Sequence, residues 1–89
     1  MRIEVRELRE VVTRLLDDLE ATRGEAVVVS VDYFYSVPFP EIYDVLGDAP
    51  KLTIGQLTES WEDLLRTDAS VQWELVWLGD VLKAIGHLA

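Results

Sequence analysis

The residues best suited to chemistry in this chain are carboxylates and phenols gathered between positions 32 and 44. They are Asp32, Tyr33, Tyr35, Glu41, Tyr43 and Asp44. Asp32 stands in an apolar stretch, and if its side chain is buried there, desolvation raises the pKa of its carboxyl. A carboxyl with a raised pKa beside a phenol is a candidate for acid–base catalysis. At a solvent-facing or edge position the same charge would instead discourage wrong strand pairing, and the sequence favours this second interpretation.

A second acidic group surrounds Trp61 and consists of Glu59, Glu62 and Asp63. Carboxylate oxygens are ligands for hard cations, but the spacing does not match a calcium-binding loop, so a solvated acidic face is the favoured interpretation. Acidic groups interleaved with aromatic rings also suit a surface that caps a basic protein or mimics a nucleic-acid backbone. From both groups we predict an interaction surface made of Asp32, Tyr33, Tyr35, Tyr43, Asp44 and Trp61.

Motifs for known catalytic chemistry are missing from the sequence. It contains no glycine-rich phosphate loop, no Walker-type lysine and no nucleophile elbow. It has no cysteine, and its only histidine, His87, lies near the end of the chain. We therefore predict a non-catalytic protein with no metal site and no cofactor.

Charge is distributed unevenly over the chain, whose formal net charge is −9. Residues 1–24 contain five Arg and six Asp or Glu, a net charge of −1, whereas residues 25–89 contain three cations and eleven Asp or Glu, a net charge of −8. Such a surface repels phosphate backbones and anionic membranes, so we predict no nucleic-acid partner and no membrane partner, while a basic protein is compatible. The charged N-terminus and the lack of an apolar run of about 20 residues make the cytoplasm the expected location.

The N-terminal part of the sequence predicts a long amphipathic helix over residues 3–23. Its apolar stripe follows alternating steps of three and four and consists of Val5, Leu8, Val12, Leu15 and Leu19, widened by Val11 and Leu16. Gly24 is a natural stop, and Arg23 places a cation in the last turn. The spacing resembles a short coiled-coil seam, but three heptads are few, so packing of this helix on the chain's own sheet or helices is favoured.

Residues 26–37 are the one stretch that clearly predicts a β-strand, because β-branched and aromatic residues are dense there. A lone strand cannot satisfy its backbone donors and acceptors. No equally good second strand occurs in the sequence. We therefore predict that this strand pairs with the same strand of a second copy, antiparallel about a twofold axis, which makes the protein a homodimer.

The middle of the chain predicts two further helical segments. Residues 40–46 suit one or two helical turns that begin at Pro40. Residues 52–65 predict a helix that starts with a capping box of Thr53 and Gln56. Because apolar residues also alternate over 52–57, a second strand there is the alternative, with the helix starting as late as Thr58.

Residues 70–88 predict a last helix with two neighbouring apolar stripes, and a strand over 71–75 is the alternative. The predicted fold class is α+β in a single domain, residues 1–89. It consists of a long N-terminal helix, one main strand paired across a homodimer, a short turn or helix, and two C-terminal helices.

Four short segments together resemble a group of small acidic bacterial proteins of unassigned function. They are Asp32-Tyr33-Phe34-Tyr35, Leu52-Thr53-Ile54-Gly55-Gln56-Leu57, Trp61-Glu62 and Leu75-Val76-Trp77-Leu78. The resemblance spans residues 30–86 and implies an aromatic strand, an LTIGQL segment and a terminal apolar helix. It implies no activity, cofactor or catalytic residue.

Two classes of function fit these patterns. The first is a small protein-interaction module of the immunity, inhibitor or adaptor type, which the short chain and the missing catalytic motifs favour. The alternative is a small-ligand binder or weak enzyme that uses Asp32 and the neighbouring tyrosines in a pocket at the dimer seam.

Overall fold

The computed structural model describes residues 1–89 and contains four helices and one two-stranded antiparallel sheet. In chain order the elements are α1 (Val5–Arg23), β1 (Tyr33–Ser36), α2 (Phe39–Ile42), β2 (Thr53–Gln56), α3 (Leu57–Arg66) and α4 (Val71–Leu88). The predicted α+β class and the long helices at both ends of the chain are confirmed. None of the four helices has both the length and the apolar character that crossing a bilayer requires.

The N-terminal helix α1 follows its sequence signals closely. Glu7 lies in its first turn and Arg23 in its last, where the helix dipole favours an anion and a cation respectively. Gly24 ends the helix with a positive φ of 84°, which glycine adopts without a Cβ clash, and its N–H donates to the Glu20 carbonyl. α1 has no extensive contact with another helix or strand, although Arg23 at its end donates to the Ala89 carbonyl. The predicted packing of this helix on the chain's own sheet or helices is therefore wrong.

The sheet joins two short strands that lie far apart in the sequence. β1 and β2 are antiparallel, with Tyr33 opposite Gln56 and Ser36 opposite Thr53. β1 is shorter than the predicted strand, because residues 26–32 run outside the ladder. The strand alternative for residues 52–57 is confirmed, and the helix start predicted there is wrong. β1 therefore has a mate within its own chain, and pairing across a homodimer is not needed to complete it.

Two side-chain arrangements explain why β2 forms where the sequence favours a helix. The Thr53 hydroxyl donates to the Ser36 carbonyl across the sheet at 3.2 Å, instead of capping a helix together with Gln56. Gly55 lies opposite Phe34, and a Cβ at Gly55 would overlap the Phe34 ring. The missing side chain thus makes room for an aromatic ring of the neighbouring strand, an arrangement used at glycines in sheet edges.

The remaining helices differ from prediction mainly at their ends. α2 is shorter than the predicted 40–46 and begins one residue earlier, which leaves Pro40 at its second position. Thr67 closes α3 with a left-handed φ of 55°. α4 begins after Ser70 and is helical throughout, so the strand alternative over 71–75 does not form. α3 and α4 pack against each other and make the helix pair of the fold.

The single chain buries almost none of its residues. Ser60 is the one buried residue, and no hydrophobic side chain is fully removed from solvent. The accessible surface is 7819 Å², whereas a folded monomer of 10.1 kDa exposes about 5,300 Å². The radius of gyration of 14.9 Å likewise exceeds the roughly 12 Å of a compact domain of this length. The chain therefore exposes about 2,500 Å² more than a self-sufficient domain would.

Candidate interaction site

An apolar groove of about 600 Å³ lies between the helix pair α3–α4 and residues 25–32, the segment that connects α1 to β1. We call it the valine groove. Its apolar lining comes from Val27, Val29 and Val31 of the connecting segment, Trp61 of α3, and Val81 and Ile85 of α4. Glu25 and Asp32, at the two ends of the connecting segment, add carboxylates. Trp61 is 49% exposed and Val31 is 47% exposed, so the groove is open to solvent.

Asp32 caps the N-terminus of α3 through hydrogen bonds. Its Oδ1 accepts hydrogen bonds from the Thr58 backbone N–H at 2.7 Å and from the Thr58 hydroxyl at 2.9 Å, and its Oδ2 accepts one from the Gln56 side-chain amide at 2.9 Å. Its backbone carbonyl accepts a further bond from the Leu57 N–H at 2.7 Å. The first turn of a helix has N–H groups without intrahelical partners, and a carboxylate there also meets the positive end of the dipole. Asp32 is therefore a capping residue supplied by a distant segment.

These contacts decide the ionisation of Asp32. The Thr58 backbone N–H is the largest cause that lowers the pKa of the Asp32 carboxyl; desolvation opposes it, and the Gln56 and Thr58 side chains add to it. The pKa is therefore lowered, not raised as in the interpretation that the sequence disfavours. Asp32 also lies outside the strand ladder and caps a helix, so its charge does not stand at a strand edge as the favoured interpretation has it. An ionised carboxylate whose oxygens already accept three hydrogen bonds is poorly placed to transfer a proton at neutral pH. Nothing in this geometry favours an acid–base role for Asp32.

Tyr33 and Tyr35 lie together on the exposed face of the sheet and form what we call the tyrosine patch. Tyr35 is 76% exposed and stands opposite Ile54, which is exposed as well. Phe34 points to the other face, where it is half-buried over Gly55. Exposed phenols beside an exposed aliphatic side chain are typical of protein-binding surfaces, in which tyrosine is enriched.

The other predicted site residues lie in different places. Trp61 lines the valine groove together with Asp32, and no ring-to-ring contact links it to the tyrosines. Tyr43 follows α2, where its ring meets Phe39 edge-on at a centroid distance of 6.2 Å, and Asp44 comes next in the chain. The six predicted residues thus fall into three pairs, one in the groove, one on the sheet and one after α2.

Most of the residues that line the valine groove could not be identified from the sequence, because they come from three separate parts of the chain. Val81 and Ile85 belong to the apolar stripes of α4, which do not show what they face. The alternation of Val27, Val29 and Val31 is the one signal that points to the groove, since it places three apolar side chains on the same side of the chain.

Two carboxyl groups of α4 are shielded from water without enough polar contacts to replace it. Burial raises the pKa of Asp80, and the positive charge of Lys83 opposes that rise. One carboxylate oxygen of Glu74 is shielded from solvent and has no hydrogen-bond partner. Elsewhere the acidic residues are dispersed, and no three side chains come together in a way that could hold a metal ion.

A comparison of the chain with models of known protein families, with curated proteins and with solved structures finds no match. The resemblance to small acidic bacterial proteins therefore stays a prediction. Any function assigned to the valine groove or to the tyrosine patch has to be argued from their own geometry.

Proposed function

We propose that the chain is a non-catalytic protein-interaction module of the immunity, inhibitor or adaptor type. The observation that carries the proposal is the excess of about 2,500 Å² of accessible surface in a fold without a buried hydrophobic side chain. Burial of apolar surface contributes about 25 cal/mol per Å², so a chain that exposes this much gains stability from a partner. Extended apolar patches on a protein surface are typical of interaction sites.

The valine groove is the docking site in this proposal. Val27, Val29 and Val31 offer an apolar wall, and Glu25 adds a negative charge beside it. The whole groove lies within residues 25–89, whose three cations and eleven Asp or Glu give a net charge of −8. An apolar segment of a basic protein matches both properties, because complementary charge steers the encounter and apolar contact holds the complex.

The size of the groove also favours the alternative function, a small-ligand binder, since clefts of about 300–1,000 Å³ hold small molecules. Such sites need a few free polar groups that orient the ligand. In the valine groove the carboxylate of Asp32 and the hydroxyl of Thr58 are bonded to each other. A protein segment needs fewer oriented polar groups, which is why we place it first.

A homodimer stays part of the proposal, although its basis changes. β2 pairs with β1 within the chain, so the argument from a missing second strand no longer calls for a second copy. Each strand still has one edge without a neighbour in the chain. The cytoplasmic location, the lack of nucleic-acid and membrane partners and the kinship with small bacterial proteins remain predictions.

A change of one groove residue tests the docking proposal. Val81→Glu brings a charge into the apolar lining, whereas Gln72→Glu adds the same charge at an exposed position of the same helix. We expect wild type and Gln72→Glu to retain one and the same basic protein from native lysate. Val81→Glu should retain at least about tenfold less of it, because truncating or charging a central apolar contact costs more than 1–2 kcal/mol.

Circular dichroism shows whether Val81→Glu keeps its helices, so that loss of binding is not mistaken for unfolding. Equal retention by all three chains would mean that the groove is not the docking site. Binding of small apolar molecules that displaces no protein and is abolished by Val81→Glu would instead favour the small-ligand alternative.

A further inference from the structure

The apolar stripe of α1 has the residue pattern of a two-stranded coiled coil. Heptad position a is occupied by Val5, Val12 and Leu19, and position d by Leu8, Leu15 and, in the last turn, Thr22. β-branched residues at position a combined with Leu at position d favour two parallel strands. Val5, Leu8 and Leu15 are exposed, Leu15 by 54%, whereas Val12 and Leu19 are half-buried. The chain itself therefore leaves three of these five side chains uncovered.

The positions that flank the stripe agree with a parallel arrangement, in which position g of one helix faces the following position e of the other. The three resulting pairs are Glu4 with the partner's Arg9, Val11 with the partner's Leu16, and Asp18 with the partner's Arg23. Two pairs of opposite charges thus enclose an apolar pair, and twofold symmetry forms each pair twice. Arg23 donates to the Ala89 carbonyl at 2.8 Å and keeps further guanidinium donors for a carboxylate.

An antiparallel arrangement does not suit the same residues. There position g faces g and position e faces e, so that Asp18 meets the partner's Val11 and Arg9 meets the partner's Leu16. Each of these contacts places a charged side chain against an apolar one. The charge then loses water without gaining a counter-ion, which is unfavourable. The flanking residues therefore select the orientation as well as the partner.

The outer face of α1 offers no second surface for packing. Its positions b, c and f are polar or small and hold Arg6, Glu7, Glu10, Thr13, Arg14, Asp17, Glu20 and Ala21. An apolar stripe bounded in this way accommodates one neighbouring helix.

A second copy of this chain is the occupant that charge and area favour. Two chains of net charge −9 repel each other least through residues 1–24, where five Arg and six Asp or Glu leave a net charge of −1. Two copies that each expose about 2,500 Å² in excess could together bury up to about 5,000 Å², which is the scale of obligate dimers. The α1 stripe accounts for part of that area.

We propose that two copies of the chain associate through α1 as a parallel two-stranded coiled coil. The inference rests on the homodimer included in the proposed function and adds its surface, orientation and register. It leaves the valine groove and the tyrosine patch free for a different protein.

Sedimentation equilibrium of the full chain tests the surface. Wild type should have twice the 10.1 kDa mass of one chain at micromolar concentration. Leu15→Glu puts a charge at the centre of the stripe and should raise the dissociation constant of the dimer roughly 100-fold or more, because a buried charge without a partner is strongly unfavourable. Thr13→Glu adds the same charge to the polar face of the same helix and should leave the dimer unchanged.

Cross-linking tests the orientation, because the chain contains no cysteine of its own. In Thr22→Cys the thiol occupies the last position d, where parallel helices bring the two sulfur atoms together and antiparallel helices hold them a helix length apart. Mild oxidation should join Thr22→Cys chains into covalent dimers. Thr13→Cys, on the polar face, should stay unlinked.

A monomeric wild type overturns the inference, and so does a trimer or a tetramer. A dimer that survives Leu15→Glu overturns it too and points to another seam, such as the free edge of β1. A dimer that does not cross-link through Thr22→Cys excludes the parallel orientation. Loss of a protein partner in Val81→Glu is a separate outcome, so failure of this inference is distinct from failure of the groove as docking site.

Discussion

The two regions of this chain, residues 1–24 and residues 25–89, are stabilised in different ways. α1 has hydrogen bonds within the helix and one from Arg23 to Ala89, and it has no extensive contact with another element. The rest of the chain is joined by contacts between distant segments, namely β1 with β2, α3 with α4, and Asp32 with the start of α3. The net charge divides them as well, being −1 in the first region and −8 in the second, from the residues counted above.

This difference shows where each region finds its stability. Most of the stability of a protein helix comes from packing of its apolar face, so the 19-residue helix α1 depends on packing that one chain supplies only in small part. The second region has packing within the chain but carries a charge that repels another copy. The first region is thus suited to self-association, and the second to a partner of opposite charge.

Loss of self-association should unfold the first region and leave the second folded, and this is the largest effect we expect. Strong dilution of wild type, or Leu15→Glu, should unfold α1 and leave the other helices in place, since they pack within the chain. α1 contributes 19 helical residues against 10 in α3 and 18 in α4, so the helical signal in circular dichroism should fall by about 40%. Thr13→Glu should keep the full signal. Loss of all helical signal would mean that both regions fold as one unit.

Gly55→Ala should lower the stability of the second region and leave that of the first unchanged. Its Cβ overlaps the Phe34 ring, so the ring has to leave its place on β2, and we expect a loss of about 1–3 kcal/mol in the free energy of unfolding. Gly79→Ala is the control, because the space beside Gly79 in α4 is open and alanine in a helix gains about 0.5–1 kcal/mol. Urea unfolding followed by tryptophan fluorescence measures both. Equal changes in the two variants would contradict the contact between Phe34 and Gly55.

Asp32→Asn should make the second region less sensitive to acid. Because the pKa of Asp32 is lowered in the fold, its contribution is complete above the unfolded value of 3.8 and is lost as the pH falls through the lower folded value. Wild type should therefore lose more stability than Asp32→Asn between pH 6 and pH 3. Asp17→Asn, on the polar face of α1, should respond to acid as wild type does. Equal acid responses of wild type and Asp32→Asn would show that the cap on α3 is absent.

Asp80→Asn should have the smallest effect, and a favourable one. Burial raises the pKa of Asp80, so its charged form opposes folding at neutral pH, and this opposition disappears as the pH falls below the unfolded value. Asp80 is partly exposed, so solvent screening limits the gain at pH 7 to below about 0.5 kcal/mol. Thermal unfolding should show the gain at pH 7 and none at pH 3. A loss of stability at pH 7 would contradict the sign of the shift.

The sequence predicts the parts of the fold that depend on neighbours along the chain. The predicted helix over 3–23 is observed as Val5–Arg23, and the predicted helix over 70–88 as Val71–Leu88, because helical periodicity and stop signals are local. β2 is misassigned because Thr53 and Gln56 match a capping-box pattern, whereas the residue that caps α3 comes from a distant segment. No spacing rule connects Asp32 with Thr58, which lie 26 positions apart.

The candidate site divides in the same way. The common face of Tyr33 and Tyr35 follows from alternation along one strand and could be predicted. The ionisation of Asp32 could not, since the sign of its pKa shift depends on donors from β2 and α3. The valine groove could not either, because its walls come from three parts of the chain.

The bond between Asp32 and Thr58 also has a kinetic consequence. It closes a loop that contains β1, α2 and β2, so the sheet and the cap of α3 join the same two distant segments. Closing a loop costs entropy before the contacts that stabilise the closed loop have formed. Pairing between distant segments is slow for that reason. Helices of this length relax within about a microsecond. We therefore expect α3 and α4, which pack within the chain, to form early, and the refolding rate of residues 25–89 to be set by the arrival of Asp32 at the start of α3.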